Sequence, residues 1–213
     1  MTRKVVWDLC SGLGGWTQAF VESEDWEVYS FEKNQQLIDD VREKDIDLYY
    51  RNGLESAIVC DVTEWKKWCF GYPWPDLITC SPPCTEFSTA YNAPRSEAER
   101  RGENWEPDMS VSLACKEIID WCKPEHWICE NVFGSAKYLE PVFGRTRQAI
   151  RPWIFYGKYP NLHLPRDWDY NKEDHDVTST HPYRANVRGM IPYEISRALK
   201  QSIEDQWTLE RWL

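Results

Sequence analysis

Val5–Leu9 (VVWDL) is an apolar run of strand formers that breaks into Cys10-Ser11-Gly12-Leu13-Gly14-Gly15 and resumes as the helix-like Trp16–Glu22. Glycines between a strand and a helix let backbone approach a ligand at a helix N-terminus. No other stretch restricts the fold as much. The next strand-like run, Val28–Phe31, ends in Glu32, about twenty residues beyond the glycines, where such folds place an acid on ribose hydroxyls. A third run, Ala57–Cys60, ends in Asp61. A tight turn with two surface acids is the plain alternative. Three successive strand ends with ligand-binding chemistry favour a nucleoside-type cofactor.

Asp76–Cys80 (DLITC) is a further strand-like run, and it stops in Ser81-Pro82-Pro83-Cys84. Two prolines hold the next side chain at the sheet's edge in a stiff loop. A thiol presented this way is poised as a nucleophile, since only the thiolate attacks and exposure controls its reactivity. The competing use of a cysteine is as a small buried apolar residue. His126–Val132 (HWICENV) is a strand ending in Glu130-Asn131, preceded by the helix-like Met109–Lys123 and Pro124. Trp153–Gly157 is strand-like, and Ile191–Gln206 reads as an amphipathic helix entered through Pro192.

Together these segments resemble the motifs of the cytosine carbon-5 DNA methyltransferases, in a small phage- or virus-like form. DLCSGLGGWTQAF resembles the family's cofactor loop, SPPCTEFS its proline-cysteine motif, ENV its glutamate motif, and RGMIPYEISRALKQSI its C-terminal cofactor-binding motif. They stand in the family's order and span the chain from about residue 5 to residue 203. Amino-group methyltransferases also carry a proline pair after the fourth strand, but follow it with an aromatic residue and lack the ENV glutamate.

The resemblance implies a doubly wound α/β fold, Rossmann-like, with about six or seven mostly parallel strands and helices on both faces. It implies one catalytic domain over residues 1–213, with S-adenosylmethionine as methyl donor. Carbon-5 of cytosine is a poor nucleophile, and a thiolate adding at carbon-6 makes the ring enamine-like. By the resemblance Cys84 is that nucleophile, and Glu130 holds the ring's N3 and exocyclic amine, offsetting the charge that develops. Gly12, Gly14 and Gly15 approach the methionine part of the cofactor, Glu32 its ribose and Asp61 its adenine amine. Asp8, Cys10, Pro83 and Tyr193 complete the expected cofactor site. Ser88, Asn131, Arg95 and Arg147 are the expected substrate contacts.

Departures from the family pattern are informative. Cys10 stands where the family has phenylalanine. The Gln-X-Arg-X-Arg motif that reads the cytosine carbonyl is replaced by Arg145-Thr146-Arg147-Gln148-Ala149-Ile150-Arg151, from which Arg151 is expected on the carbonyl, with Arg147 as the alternative. Only about thirty residues, Lys158 to Arg188, stand where full-sized members insert a target-recognition domain. Recognition is therefore expected to be short, weak or delegated to a partner protein.

A net charge of −10 opposes a polyanion partner on average. Local fields decide, however, and Gly144–Lys172 carries a local excess of four positive charges. Ser88–Pro107 reads as a mobile loop or short helix in which Arg95, Arg100 and Arg101 reach phosphate, diluted by Glu97, Glu99, Glu103 and Glu106; a solvated charged loop without that role is the other reading. Double-stranded DNA with its cytosine flipped out is the expected substrate, at a cost of a few kcal/mol for extrusion. A structured RNA of transfer-RNA type is the second reading, a free cytosine nucleotide a third, and a non-catalytic nucleic-acid or cofactor binder a fourth. The eight cysteines follow no zinc spacing, so no metal is expected. The N-terminus does not read as a signal peptide and no apolar run has membrane-spanning length, so the expected compartment is the cytoplasm, of the host cell if the chain is viral.

Overall fold

The computed structural model describes residues 3–43, 57–88, 93–171 and 180–210. Seven strands form one sheet in the order β3-β2-β1-β4-β5-β7-β6. They are β1 (Lys4–Leu9), β2 (Trp26–Glu32), β3 (Ala57–Val59), β4 (Leu77–Cys80), β5 (His126–Val132), β6 (Gln148–Ile150) and β7 (Trp153–Lys158). The neighbours among the first five pair in parallel, and β7 runs antiparallel to both β5 and β6. The mostly parallel, Rossmann-like sheet expected from the sequence is therefore present, and its order reverses between β1 and β4.

Near-continuous apolar strands are what a sheet covered on both faces requires. Trp7, Leu9, Ile78, Cys80 and Cys129 face one core, closed by the 3-10 segment Val62–Lys67 and by the helices later numbered α4 (Ser110–Cys122) and α5 (Ala136–Phe143). Val6, Leu77, Ile128 and Phe155 face the other, covered by α1 (Gln18–Val21) and α7 (Tyr193–Glu210). In α7 the buried Ile195, Leu199 and Ile203 recur every four residues and make its inner stripe. A third cluster joins α2 (Gln35–Glu43) to α6 (Arg184–Gly189) through Leu37, Ile38, Tyr183 and Val187. The remaining helix, α3 (Pro94–Arg101), starts on Pro94 at a position where its missing N–H costs nothing, and ends on Gly102 in the left-handed region.

The helix expected at Trp16–Glu22 is shorter, Gln18–Val21, because residues 12–17 form turns. Strand β6 had no counterpart in the sequence reading. Of the segment Lys158 to Arg188, residues 172–179 lie outside the described residues. The part before them packs on the sheet. Gln148 donates to Leu162 O at 2.9 Å and accepts from Leu162 N at 3.0 Å, Tyr159 and Leu162 are buried, and Tyr170 lies 4.5 Å from the Trp153 ring.

Candidate active site at the carboxyl ends of the central strands

The glycine loop hangs from the end of β1. Gly12 takes φ +53°, and a Cβ built there would meet nothing within 4 Å, so the loop leaves open space beside its backbone. Gly15 differs: its Cβ would lie 2.6 Å from Ile191 N and 2.9 Å from Ile191 O. That glycine is required by the chain entering α7, which presses on the loop. Gln18 donates to both Gly15 O and Ile191 O, and Ser196 in α7 donates to Trp16 O at 2.6 Å.

Glu32, at the end of β2, accepts from Gly12 N and Asn34 N, both at 2.8 Å, and so fixes the loop. Asp61 accepts from Thr63 N and Oγ1 and pairs with Lys33 at 2.5 Å. The Lys33 and Thr63 hydrogen bonds pull its carboxyl down to about 2. Tyr193 donates to Glu22 Oε2 at 2.6 Å, which ties it to the end of α1. Asp8 is wholly buried: Thr79 donates to its Oδ1 at 2.8 Å, while its Oδ2 has no partner among the described residues. Burial, against the Thr79 bond and with Glu32 nearby, raises its pKa to about 7.

Cys84 follows the end of β4 and opens the 3-10 turn Cys84–Glu86, with its residue half-buried. Its loop is pinned on both sides. Asn131, at the end of the neighbouring strand β5, donates to Pro82 O at 3.0 Å and accepts from Val132 N at 2.9 Å. Trp16, on the other side, donates its indole N–H to Ser81 Oγ at 3.0 Å. Glu86 accepts from Asp108 N at 3.1 Å and anchors the far end of the turn. Pro83 is the residue before that turn, and Ser88 ends the described part of the loop; residues 89–92 lie outside it. Glu130 is 6 % exposed, one residue beyond the register pair Cys80↔Cys129. Cys84, in the loop after β4, and Glu130, near the end of β5, thus stand on neighbouring central strands at their carboxyl ends.

The two arginine candidates part company. Arg151 and Pro152 form the two-residue tip of the β6–β7 hairpin, since Ile150 pairs with Trp153. Because Val132 also pairs with Trp153, that tip lies at the carboxyl end of β5. Arg151 is exposed and, among the described residues, makes no hydrogen bond or ion pair. Arg147 instead bonds Asn161 at 3.3 Å and lies over the Tyr159 ring at 5.1 Å. Arg95 pairs with Glu99 at 2.8 Å and Arg101 with Glu103 at 2.9 Å, so both are held within their own segment.

None of the eight cysteines is in a disulfide, and five are buried. Burial pushes the Cys80 and Cys129 thiols up, which leaves them poor nucleophiles. The hydrogen bond to Cys115 and burial do the same to Cys10. Among the described residues no cluster of histidines, cysteines and acids is arranged to hold a metal. Trp16, Thr79 and Ser196 were not picked out from the sequence. Trp16 carried the one visible signal, an aromatic residue placed directly after the glycines.

A sequence profile of the C-5 cytosine-specific DNA methylases matches residues 5–139, from the glycine loop through Cys84 and Glu130. The chain belongs to that family. Solved structures similar to this chain share little sequence with it. A candidate DNA modification methyltransferase encoded within an E. coli prophage is 19% identical, over 64% of this chain and 34% of its own, with a TM-score of 0.41. TrmN from Thermus thermophilus is 12% identical over 74% of this chain and 44% of its own, at 0.43. A fibrillarin/Nop5p complex is 13% identical over 72% and 71%, at 0.40. The chain spans about a third of the length of the first and less than half of the second. No curated relative matches it.

Proposed function

We propose that this family member methylates carbon-5 of cytosine in DNA, with Cys84 as a covalent nucleophile at carbon-6. The observation that carries the reading is the mounting of Cys84: a loop stiffened by two prolines and tied on one side to β5, by Asn131 to Pro82, and on the other to the glycine loop after β1, by Trp16 to Ser81. A nucleophile held that way loses little freedom on reaching a bound base. Glu130, at the adjacent strand end, hydrogen-bonds the ring's N3 and amine, and Arg151 reaches its carbonyl; both stabilise the charge that addition puts on the ring. The open space at Gly12, beside the Glu32 carboxylate that Gly12 N donates to, supports a site for S-adenosylmethionine, with Asp61 at the end of the third strand assigned to its adenine amine. When bound, that cofactor supplies an activated methyl group. Gly14, Asp8, Cys10 and Pro83 are assigned to the same cofactor, while Gly15 and Tyr193 hold α7 and α1 against the glycine loop. Ser88 lies beside the catalytic turn, and Arg95 and Arg147 serve the backbone of the DNA only by leaving their present partners. The thiol requirement places the protein in a reducing interior such as cytoplasm; among the described residues no helix is long and apolar enough to cross a membrane.

Nucleoside mass spectrometry after incubation with S-adenosylmethionine and mixed-sequence duplex DNA or total transfer RNA tests this. The expected result is 5-methylcytosine in DNA, lost in Cys84→Ser. Methylation confined to RNA would keep the nucleophile and move the substrate. Cofactor binding with neither polymer modified would leave a binding role, or recognition by a partner protein.

A further inference from the structure

Phe133 follows the last residue of β5 and is 48% exposed, while most large apolar side chains among the described residues are buried. Its position is rigid. It opens the 3-10 turn Phe133–Ser135, in which Ser135 donates to Val132 O at 2.7 Å, and α5 begins directly after it. Among the described residues no aromatic ring packs on it. Phe133, Arg151 and Pro152 together line an open pocket of about 300 Å³, at the small end of the range for ligand sites. Both sides of the pocket are fixed by the same antiparallel pairing of β5 and β7.

A solitary exposed phenylalanine needs no explanation. This one stands beside an unpartnered guanidinium, in a concavity, three residues past Glu130. An aromatic face with a cation at its edge suits a flat, π-faced group that carries hydrogen-bond acceptors, and a nucleobase has that chemistry. We infer that Phe133 is the stacking face for the extruded cytosine, with Pro152 closing the pocket beside it. The inference rests on the proposed function and adds to it the residue that holds the base out of the helix. Stacking there offsets part of the cost of extrusion.

The test uses a mixed-sequence single-stranded DNA oligonucleotide in which a fluorescent cytosine analogue replaces cytosine, so that no extrusion or target sequence is needed. Wild-type protein is expected to bind it and quench the analogue. Phe133→Ala should weaken binding by about tenfold and lose the quench, with S-adenosylmethionine affinity unchanged, and Phe133→Tyr should restore both. Should Phe133→Ala lower the melting temperature, Phe133→Leu decides, since it keeps apolar volume and removes the ring face. Quenching retained in both Phe133→Ala and Phe133→Leu, in a wild type that methylates DNA, overturns this inference and leaves the proposed function standing. A wild type that neither binds the probe nor methylates DNA overturns both.

Discussion

Gly12 and Gly15 stand three residues apart and do different work. At Gly12 the backbone is left-handed with open space beside it, and at Gly15 the space is already filled by Ile191 backbone. Gly15→Ala should therefore cost about 1–3 kcal/mol of stability, as overpacking does, with the melting temperature as readout. Gly12→Ala should cost roughly 1 kcal/mol of backbone strain yet weaken S-adenosylmethionine binding far more, measured by calorimetry. Equal effects of the two on both readouts would refute the division. Asp8 sets a pH dependence. Its folded pKa of about 7 lies above the ordinary carboxyl value, so the folded state keeps a proton that the unfolded chain releases from about pH 4 upward. The Asp8 contribution thus holds at low pH and is lost as pH rises through 7, by on the order of a few kcal/mol. Denaturation midpoints at pH 5 and pH 8 should differ less in Asp8→Asn than in wild type. An unchanged difference would show that Asp8 titrates normally.

Between elements, the decisive contact is the one from β5 to the loop after β4. Asn131 bonds Pro82 and its own strand end, so it holds the loop that carries Cys84. Asn131→Ala is expected to lower kcat by one to two orders of magnitude, with S-adenosylmethionine affinity held; a rise in KM alone would mean that Asn131 binds DNA directly. Much at this level was legible beforehand. Apolar runs ending in Glu32, Asp61, Cys84 and Glu130 marked the parallel strands, because a doubly covered strand has to be apolar throughout. Strand β6 was not legible, since three residues, Gln148–Ile150, among three arginines carry no period. Its stability comes from pairing with β7 and from the Gln148 amide exchanging bonds with Leu162. Nor could the sequence separate Arg151 from Arg147; only the hairpin register puts one at the β5 end and the other against Tyr159.

At the scale of the whole molecule, the net charge of −10 means that the proposed encounter with DNA has to run through a local surface. With about three phosphates contacted, affinity should fall roughly 40-fold between 50 and 200 mM salt. A titration by fluorescence anisotropy gives the slope, and a flat one would argue against a phosphate-led encounter. The family was readable from motif order, yet the contacts that Glu32 and Trp16 make with other loops were not, because those loops meet only when β1, β2 and β4 sit side by side. Trp16 ends the glycine loop and donates to Ser81 of the cysteine loop, so the two loops that the proposed function assigns to different ligands share one indole. Thermodynamic reciprocity then applies: whatever factor the methyl donor adds to DNA affinity, DNA adds to methyl-donor affinity. Trp16→Phe keeps the ring against Phe155 and removes only the N–H. It should bring both factors toward one together, leaving each ligand's affinity alone nearly intact, so that the protein would still hold each ligand while the two no longer sensed each other.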